Sequence, residues 1–298
     1  MKNYYQQLIE RIVTDSDAAR YLQAVGAQLL TDDHAAITDA ADAYTSKTIG
    51  IEAAAASLHP LADARSIPHR TMDFVFVACA SKQLRERFRI AGYDDALFWQ
   101  TIADLDCKLA ECHTVYGEWG VDCLLWYDHF FEMRLFWLGR LQYERRLLPS
   151  DVPITVGEYT LQPGDTVYSV HIPSCGPLTR DARLDSYRRA YEFFKEERGD
   201  KPLFCCCLSW LLFPANREIF PPHLNTVDFM NDFKIVGSDH NNFRDLWRVF
   251  GVPFEGDLSA LPRDNTMRRA FGAWLDNGGQ PGYGIDYFAF DGEKLINN

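Results

Sequence analysis

Proline is distributed very unevenly along this 298-residue chain. Two of its 14 prolines lie in residues 1–133 and the other twelve lie in residues 134–298. Because proline disrupts the interior of a helix, only the first segment is free to form long helices throughout. Glycine follows the same division, with 5 residues before and 14 after it. The sequence therefore predicts two domains, a helical domain over 1–133 and a mixed-sheet domain of α+β or α/β type over 134–298.

Charge and hydropathy exclude several classes of protein. The formal net charge is −12 and the pI is about 5.1, which argues against nucleic acid as a partner because phosphate binding needs a basic face. No apolar run approaches the ~20 residues that cross a bilayer. The first residues, MKNYYQQLIERIV, are too polar for the core of a signal peptide. We expect a soluble, cytoplasmic protein with no membrane partner and of unspecified oligomeric state.

The eight cysteines do not form a recognisable metal site. Cys107, Cys112 and Cys123 lack the closely spaced pairs that are typical of structural zinc sites. Cys205 to Cys207 are consecutive and would alternate between the two faces of a strand. We therefore expect buried free thiols and no metal.

Apolar periodicity and helix-capping residues predict the helices of the first segment. Asp15 and the Asp32-Asp33 pair are typical N-caps, and His59-Pro60 is expected to end the second helix. Helices are predicted over 15–30, 32–58, 71–90, 94–116 and 123–136.

The second segment alternates between strand and helix patterns. Strands are predicted over 154–156, 159–161, 166–172, 203–212, 233–236 and 287–290, and helices over 180–197, 214–220, 243–250 and 266–275. The strand at 166–172, the helix after it and the strand at 203–212 form a β-α-β unit with parallel strands.

Ligands of open α/β sheets collect at the carboxyl ends of parallel strands. Here those ends carry His171 and Ser209, and the loop 173–179 runs directly into a helix N-terminus, which is a favourable position for an anion. The arginines of that helix suit a phosphate-bearing ligand, and a solvated helix face is the alternative interpretation; they are Arg180, Arg183, Arg188 and Arg189.

Three side chains are candidates for chemistry. His171 and Cys175 are close enough in sequence to suggest a thiol nucleophile with its base, and Glu144 could act as a general base if its strand faces the pocket. The alternatives are a hydrogen-bonding structural histidine and a solvated carboxylate. The chain contains no P-loop, dinucleotide-binding or serine-hydrolase motif.

Three sequence strings resemble those of the bacterial acyltransferase-domain proteins, in which a helical N-acyltransferase N-terminal domain precedes a GNAT-like C-terminal domain. The resemblance covers most of the chain and is strongest over 138–236. The strings are LGRLQYE at 138–144, HIP at 171–173 with Gly176 and Leu178, and CLSWLL at 207–212.

The resemblance implies that acyl-CoA is the co-substrate and that the strand 166–172 and the loop after it hold its pyrophosphate. The usual GNAT pyrophosphate signature, [RQ]-x-x-G-x-[GA], is missing from that loop, and Pro173 and Pro177 remove two N–H donors. The residues implied in CoA binding are Ile172, Ser174, Cys175, Gly176, Leu178, Thr179 and Arg180.

The function predicted from these observations is transfer of an acyl group from a CoA thioester to a small acceptor, preferably an amine, by direct attack. His171 or Glu144 would remove the acceptor's proton, and Ser209 would hydrogen-bond or protonate the leaving thiolate. Two alternatives remain open at this point: a non-catalytic ligand-binding module with the same fold, and a Cys/His hydrolase centred on Cys175.

Overall fold

The computed structural model describes residues 1–240 and 243–297. The chain divides into two compact units, Met1–Phe136 and Trp137–Asn298, and each is described by itself. Among the described residues, no helix combines the length and the apolar character that a membrane span requires.

The first unit is helical. Every residue of its longest helix from Thr71 to Ser81 is buried, as expected of a helix that is enclosed on all sides. The α-helices are α1 Lys2–Ile12, α2 Ser16–Asp32, α3 His34–Thr45, α4 Ile51–Ala56, α5 His59–Ala64, α6 His69–Ile90, α7 Asp95–Ile102, α8 Asp104–Tyr116 and α9 Asp128–Phe131.

Local chemistry explains where several of these helices begin and how they pack. The Asp15 side chain caps α2 by accepting hydrogen bonds from the N–H groups of Asp17 and Ala18. Helix α1, which the sequence analysis did not predict, packs closely on α2. A Cβ atom at Gly26 would lie 2.2 Å from the Tyr5 ring, so this contact requires glycine.

The helix predicted over 32–58 is wrong in its length. Helix α3 ends at Thr45, Lys47 adopts a positive φ of 61°, and α4 begins only at Ile51. His59-Pro60 does not end a helix but begins α5. Proline is tolerated there because the first-turn N–H groups have no partner within the helix.

The helices predicted over 94–116 and 123–136 are also interrupted. Ala103 separates α7 from α8. Leu124–Tyr127 forms a 3₁₀ turn before α9, and Met133 has a φ of 54°. The left-handed conformation at Met133 ends the helical course, and the chain then enters a strand.

The second unit is built on a six-stranded sheet of order β1-β2-β5-β6-β8-β7, with a separate β3-β4 hairpin, and confirms the predicted helical-then-mixed-sheet fold class. Its elements are β1 Leu135–Leu138, β2 Leu141–Leu147, β3 Ile154–Val156, β4 Tyr159–Leu161, β5 Thr166–His171, α10 Arg180–Phe193, α11 Lys195–Arg198, β6 Leu203–Ser209, α12 Asn216–Ile219, α13 Asn225–Met230, β7 Lys234–His240, α14 Leu246–Phe250, α15 Thr266–Asp276 and β8 Gly282–Phe290.

The predicted β-α-β unit is present, with α10 and α11 connecting the parallel strands β5 and β6. One face of the sheet packs on α10, where the Tyr187 ring contacts Phe288. The other face packs on the β3-β4 hairpin through a cluster that includes Val167 and Phe204.

Two strands differ in length from the sequence expectations. Strand β6 ends at Ser209 because Trp210–Leu212 turns into a 3₁₀ helix. Strand β8 begins as early as Gly282, although glycine disfavours strands. A Cβ at Gly282 would meet the Asp239 carbonyl oxygen at 2.0 Å, and one at Gly284 would meet that of Leu212 at 2.3 Å.

The cysteines follow the expected pattern only in part. Free thiols are confirmed at Cys79, Cys112, Cys123, Cys205, Cys206 and Cys207. The expectation is wrong for Cys107 and Cys175, which do not carry free thiols.

A buried ion pair network holds the start of α10. Arg183 is fully buried and donates from Nε to Asp232 at 2.7 Å, from Nη2 to Asp228 at 2.8 Å and from Nη1 to the Leu178 carbonyl at 2.9 Å. Tyr187 also donates to Asp232, at 2.8 Å.

We predict that Asp232→Asn destabilises the protein by about 3–5 kcal/mol, because it leaves the buried Arg183 charge poorly compensated. Urea denaturation followed by circular dichroism measures this. The control is Asp185→Asn, which breaks the exposed Arg189–Asp185 pair and should cost less than about 1 kcal/mol. Equal effects of the two substitutions would contradict the role of this network.

Asp286 on β8 is a buried carboxyl group without a hydrogen bond. The residue is 0% exposed, and neither side-chain oxygen has a partner in the described part of the chain. Burial raises its pKa from 3.8 to about 7, and the nearby Arg217 opposes this only partly. Because the folded state binds the proton more tightly than the unfolded state does, Asp286 lowers stability as the pH rises from about 4 to about 7.

We therefore predict that Asp286→Asn, which resembles the protonated form, raises the free energy of unfolding above pH 7 on the order of 1–4 kcal/mol. The difference should shrink towards pH 4. Thermal unfolding from pH 4 to pH 8 tests this, with the exposed Asp200→Asn as control. A variant that is less stable than the natural chain at every pH would contradict the prediction.

Candidate functional site

Strands β5 and β6 pair over only a short distance and then separate. Their parallel register comprises Tyr168 with Cys205 and Ser169 with Cys206. Beyond that point β5 remains paired with β2 as far as His171, and β6 remains paired with β8 as far as Ser209. A strand directs its N–H and C=O groups alternately to its two sides. The gap between the strands is therefore edged by main-chain donors and acceptors.

Two of the predicted catalytic residues meet beside this gap. Glu144 lies opposite Ser169 in the β2–β5 register, so its side chain is on the same face of the sheet as that of His171. His171 Nε2 lies 3.1 Å from Glu144 Oε2. The Glu144 side chain is 4% exposed and that of His171 is 26% exposed.

This arrangement suits a proton acceptor with an orienting partner. The buried carboxylate fixes one nitrogen of the imidazole, and the more exposed ring is the group that an incoming molecule can reach. A histidine held by a carboxylate can accept a proton and is stabilised once it is charged. Sequence analysis proposed both residues but did not predict that they contact each other.

Ser209 is not brought together with this pair. It ends β6, and alternation along the strand places it with Cys205 and Cys207, on the opposite face from His171. Its Oγ accepts a hydrogen bond from the Leu211 N–H at 3.2 Å and caps the following turn. The hydroxyl proton is then available for donation at the end of the gap.

The loop after β5 leads into α10 as expected. Ser174, Cys175 and Gly176 are exposed, Ile172 is partly buried and Leu178 is buried. Gly176 has a φ of 80°, which glycine adopts without strain.

The start of α10 leaves main-chain donors available. Thr179 caps the helix by accepting a hydrogen bond from the Ala182 N–H at 3.4 Å. The N–H groups of Arg180 and Asp181 have no acceptor in the described residues. The structure therefore presents the helix N-terminus that can attract an anion.

The arginines of α10 contribute less than the sequence suggests. Arg183 is buried in its ion pair network, so the expectation that it lines a phosphate site is wrong. Arg189 pairs with Asp185, and Arg180 lies 3.9–4.0 Å from carboxylates of Asp228 and Asp232. Arg188 is exposed and lies more than two helical turns beyond the start of α10, which is too far along the helix for a ligand at its N-terminus. Acidic neighbours weaken the attraction of Arg180 for an anion.

Sequence reasoning missed Arg140, which lies between β1 and β2. Its Nη2 donates to the carbonyls of Pro173 at 2.9 Å and Gly176 at 3.0 Å, and its Nε donates to that of Pro177 at 3.1 Å. Arg140 therefore holds both ends of the loop. Its position inside the LGRLQYE string, which carries part of the family resemblance, was the one sequence feature that pointed to Arg140.

One chemistry that the sequence left open, the Cys/His hydrolase, lacks support from these residues. Cys175 does not carry a free thiol, so a hydrolase centred on its thiolate has no nucleophile. Within residues 1–240 and 243–297, no group of three or more His, Cys, Asp and Glu side chains could hold a metal ion.

Comparison with known families divides the chain in the same order as the fold. Residues 4–133 match the N-acyltransferase N-terminal domain, and residues 135–288 match the GNAT-like C-terminal domain. No curated protein sequence matches the chain significantly.

The fold also resembles solved acyltransferase structures. A mutant acyltransferase in complex with octanoyl-CoA is 21% identical, with a TM-score of 0.71 over 96% of this chain and 87% of that one. An acyltransferase in complex with decanoyl-CoA and teicoplanin is 22% identical, with a TM-score of 0.61 over 74% of this chain and 66% of that one. Another in complex with decanoyl-CoA is 25% identical, with a TM-score of 0.59 over 73% and 64%.

This chain spans slightly less than two thirds of the length of the decanoyl-CoA-bound structures. The family model of the C-terminal domain matches more than half of this chain. The chain belongs to the family defined by the GNAT-like C-terminal domain, here preceded by an N-acyltransferase N-terminal domain.

Proposed function

We propose that this protein transfers an acyl group from acyl-CoA to a small acceptor molecule. The observation that carries the proposal is the contact of His171 with the buried Glu144 beside the gap between β5 and β6. The same gap offers main-chain hydrogen-bond donors, and the neighbouring loop leads into a helix N-terminus. The acyl-CoA complexes of structurally similar acyltransferases support this choice of co-substrate.

In this proposal the thioester lies in the gap and its carbonyl oxygen accepts hydrogen bonds from main-chain N–H groups. These donors stabilise the negative charge that develops on the oxygen during attack. The diphosphate of the CoA extends towards the loop 173–179 and the start of α10, where Ile172, Ser174, Cys175, Gly176, Leu178, Thr179 and Arg180 were predicted to bind it.

The acceptor attacks the carbonyl carbon directly. With an amine acceptor, the new C–N bond forms, the C–S bond breaks and the sulfur leaves with the electron pair. His171 accepts the proton from the attacking nitrogen, and Glu144 stabilises the resulting imidazolium. Ser209 donates a proton to the leaving thiolate, and solvent restores both groups.

The acceptor is proposed to be a small molecule with a primary amine. The match of residues 4–133 to a domain described as that of N-acyltransferases supports an amine rather than a hydroxyl as the nucleophile. The complex of a similar acyltransferase with teicoplanin supports a small-molecule acceptor.

The proposed function predicts that the protein binds acyl-CoA. Acetyl-, octanoyl- and decanoyl-CoA should raise the midpoint of thermal unfolding by several degrees, because a ligand at about 100 times its Kd stabilises the native state by about 2.7 kcal/mol. ATP is the control for a nucleotide that lacks the pantetheine thioester. An equal shift with ATP, or no shift with any CoA species, would contradict the proposal.

The proposed function also predicts turnover that depends on His171 and Glu144. Release of free CoA from acetyl-CoA is followed with a thiol reagent in the presence of amino sugars, amino acids or polyamines. His171→Ala and Glu144→Gln should each lower the rate about 10²–10⁴-fold with any acceptor that the natural enzyme uses. Because Glu144 acts through His171, the double variant should be no slower than His171→Ala.

The matched control is His69→Ala, which removes an exposed histidine–carboxylate contact of similar length, 2.9 Å to Asp63, and should leave the rate unchanged. If both site variants retain the natural rate, the catalytic assignment is wrong. Acyl-CoA binding without turnover with any acceptor would instead favour a non-catalytic binding module.

A further inference from the structure

Arg140 carries a positive charge that no carboxylate of the described residues balances. Within residues 1–240 and 243–297, its partners are the carbonyls of Pro173, Gly176 and Pro177, and its buried Nη1 has no acceptor. Arg263 also has a buried Nη1 without an acceptor, but its charge is met by Asp276 at 3.0 Å. In the part of the chain that the structure describes, Arg140 has no such counter-charge.

Removing a guanidinium from water without a counter-charge is costly. Consistent with this, burial lowers the pKa of Arg140, and no acidic group among the described residues opposes that change. Three carbonyl oxygens compensate for lost hydration but not for the charge itself. An anionic ligand that binds at the same place would supply the missing counter-charge.

The loop that Arg140 holds is the one in which an anion is expected. Pro173 and Pro177 have no N–H, so this loop has fewer main-chain donors than a loop without prolines. The N–H groups of Arg180 and Asp181 at the start of α10 are further hydrogen-bond donors for an anion. They supply no negative charge that would balance Arg140. A fixed cation and a helix N-terminus thus converge on one short segment.

We propose that Arg140 provides the positive charge that binds the diphosphate of acyl-CoA at the loop 173–179, in place of the N–H donors that Pro173 and Pro177 remove. This inference rests on the proposed function, and it identifies a binding residue outside the loop itself. Nε and Nη2 keep the loop in position, and the charge of the same side chain attracts the diphosphate.

The test compares two ligands that share a thioester but differ in charge. Acetyl-CoA contains the diphosphate, whereas acetyl-pantetheine does not. Isothermal titration measures the Kd of each for the natural chain and for Arg140→Gln and Arg140→Lys. Arg188→Gln is the matched control, because it removes an equal charge from an exposed site on the adjacent helix.

Arg140→Gln should weaken acetyl-CoA binding about 10–100-fold, the value of a charge-assisted hydrogen bond of about 1.5–3 kcal/mol. It should leave acetyl-pantetheine binding unchanged. Arg140→Lys keeps the charge but not the planar set of guanidinium donors, so it should weaken acetyl-CoA binding less than Arg140→Gln does. Arg188→Gln should change either Kd less than about threefold.

If Arg140→Gln weakens the binding of acetyl-CoA and of acetyl-pantetheine equally, Arg140 acts on loop shape alone and the inference is overturned. It is also overturned if Arg140→Gln and Arg188→Gln have the same Kd for acetyl-CoA. If the natural chain binds neither ligand, the proposed function fails together with the inference. If it binds both ligands and only the Arg140 prediction is wrong, the inference alone fails.

A second measurement does not depend on the folding of a variant. Inorganic pyrophosphate should compete with acetyl-CoA for the natural chain but should not displace acetyl-pantetheine. Absence of competition at millimolar pyrophosphate, with acetyl-CoA binding intact, would also overturn the inference.

Discussion

The separation of β5 from β6 is the constraint on which the candidate site depends. Beyond the point where β5 and β6 separate, β5 remains paired with β2 and β6 remains paired with β8. The antiparallel ladders therefore hold the gap open from both sides. The same β2–β5 ladder places Glu144 and His171 on one face of the sheet. The pairing of β5 beyond Ser169 with β2 rather than with β6 thus creates both the gap and the Glu144–His171 pair beside it.

Two arginines fix the loop that continues from this gap. Arg183 lies in α10 and donates to the Leu178 carbonyl while its charge is balanced by Asp228 and Asp232. Arg140 lies between β1 and β2 and donates to the carbonyls of the loop, and no carboxylate of the described residues balances its charge. The charge of Arg183 is balanced within the described residues, and this arginine stabilises the fold. Arg140 lacks a counter-charge among those same residues and is suited to an anionic ligand.

The parts of this structure that depend on local sequence could be predicted. The hairpin strands 154–156 and 159–161, the helix that becomes α6 and the loop that leads into α10 follow from periodicity, turn residues and caps. His171 was placed correctly at the end of β5, because a strand ends where the apolar alternation meets Pro173.

The parts that depend on distant pairing could not be predicted. The contact of Glu144 with His171 spans 27 residues and exists only in the observed β2–β5 register. The hydrogen bonds of Arg140 span 33 to 37 residues. The early start of β8 at Gly282 depends on close contact with neighbouring backbone, a condition that strand propensity does not contain.

A crystal structure of the protein with an unreactive thioether analogue of octanoyl-CoA would test the central claim most directly. The account predicts that the atom replacing the thioester carbonyl lies between β5 and β6, beyond Ser169 and Cys206 and beside His171, with the diphosphate against the loop 173–179. Binding of the analogue elsewhere in the molecule, with the gap between β5 and β6 empty, would contradict it.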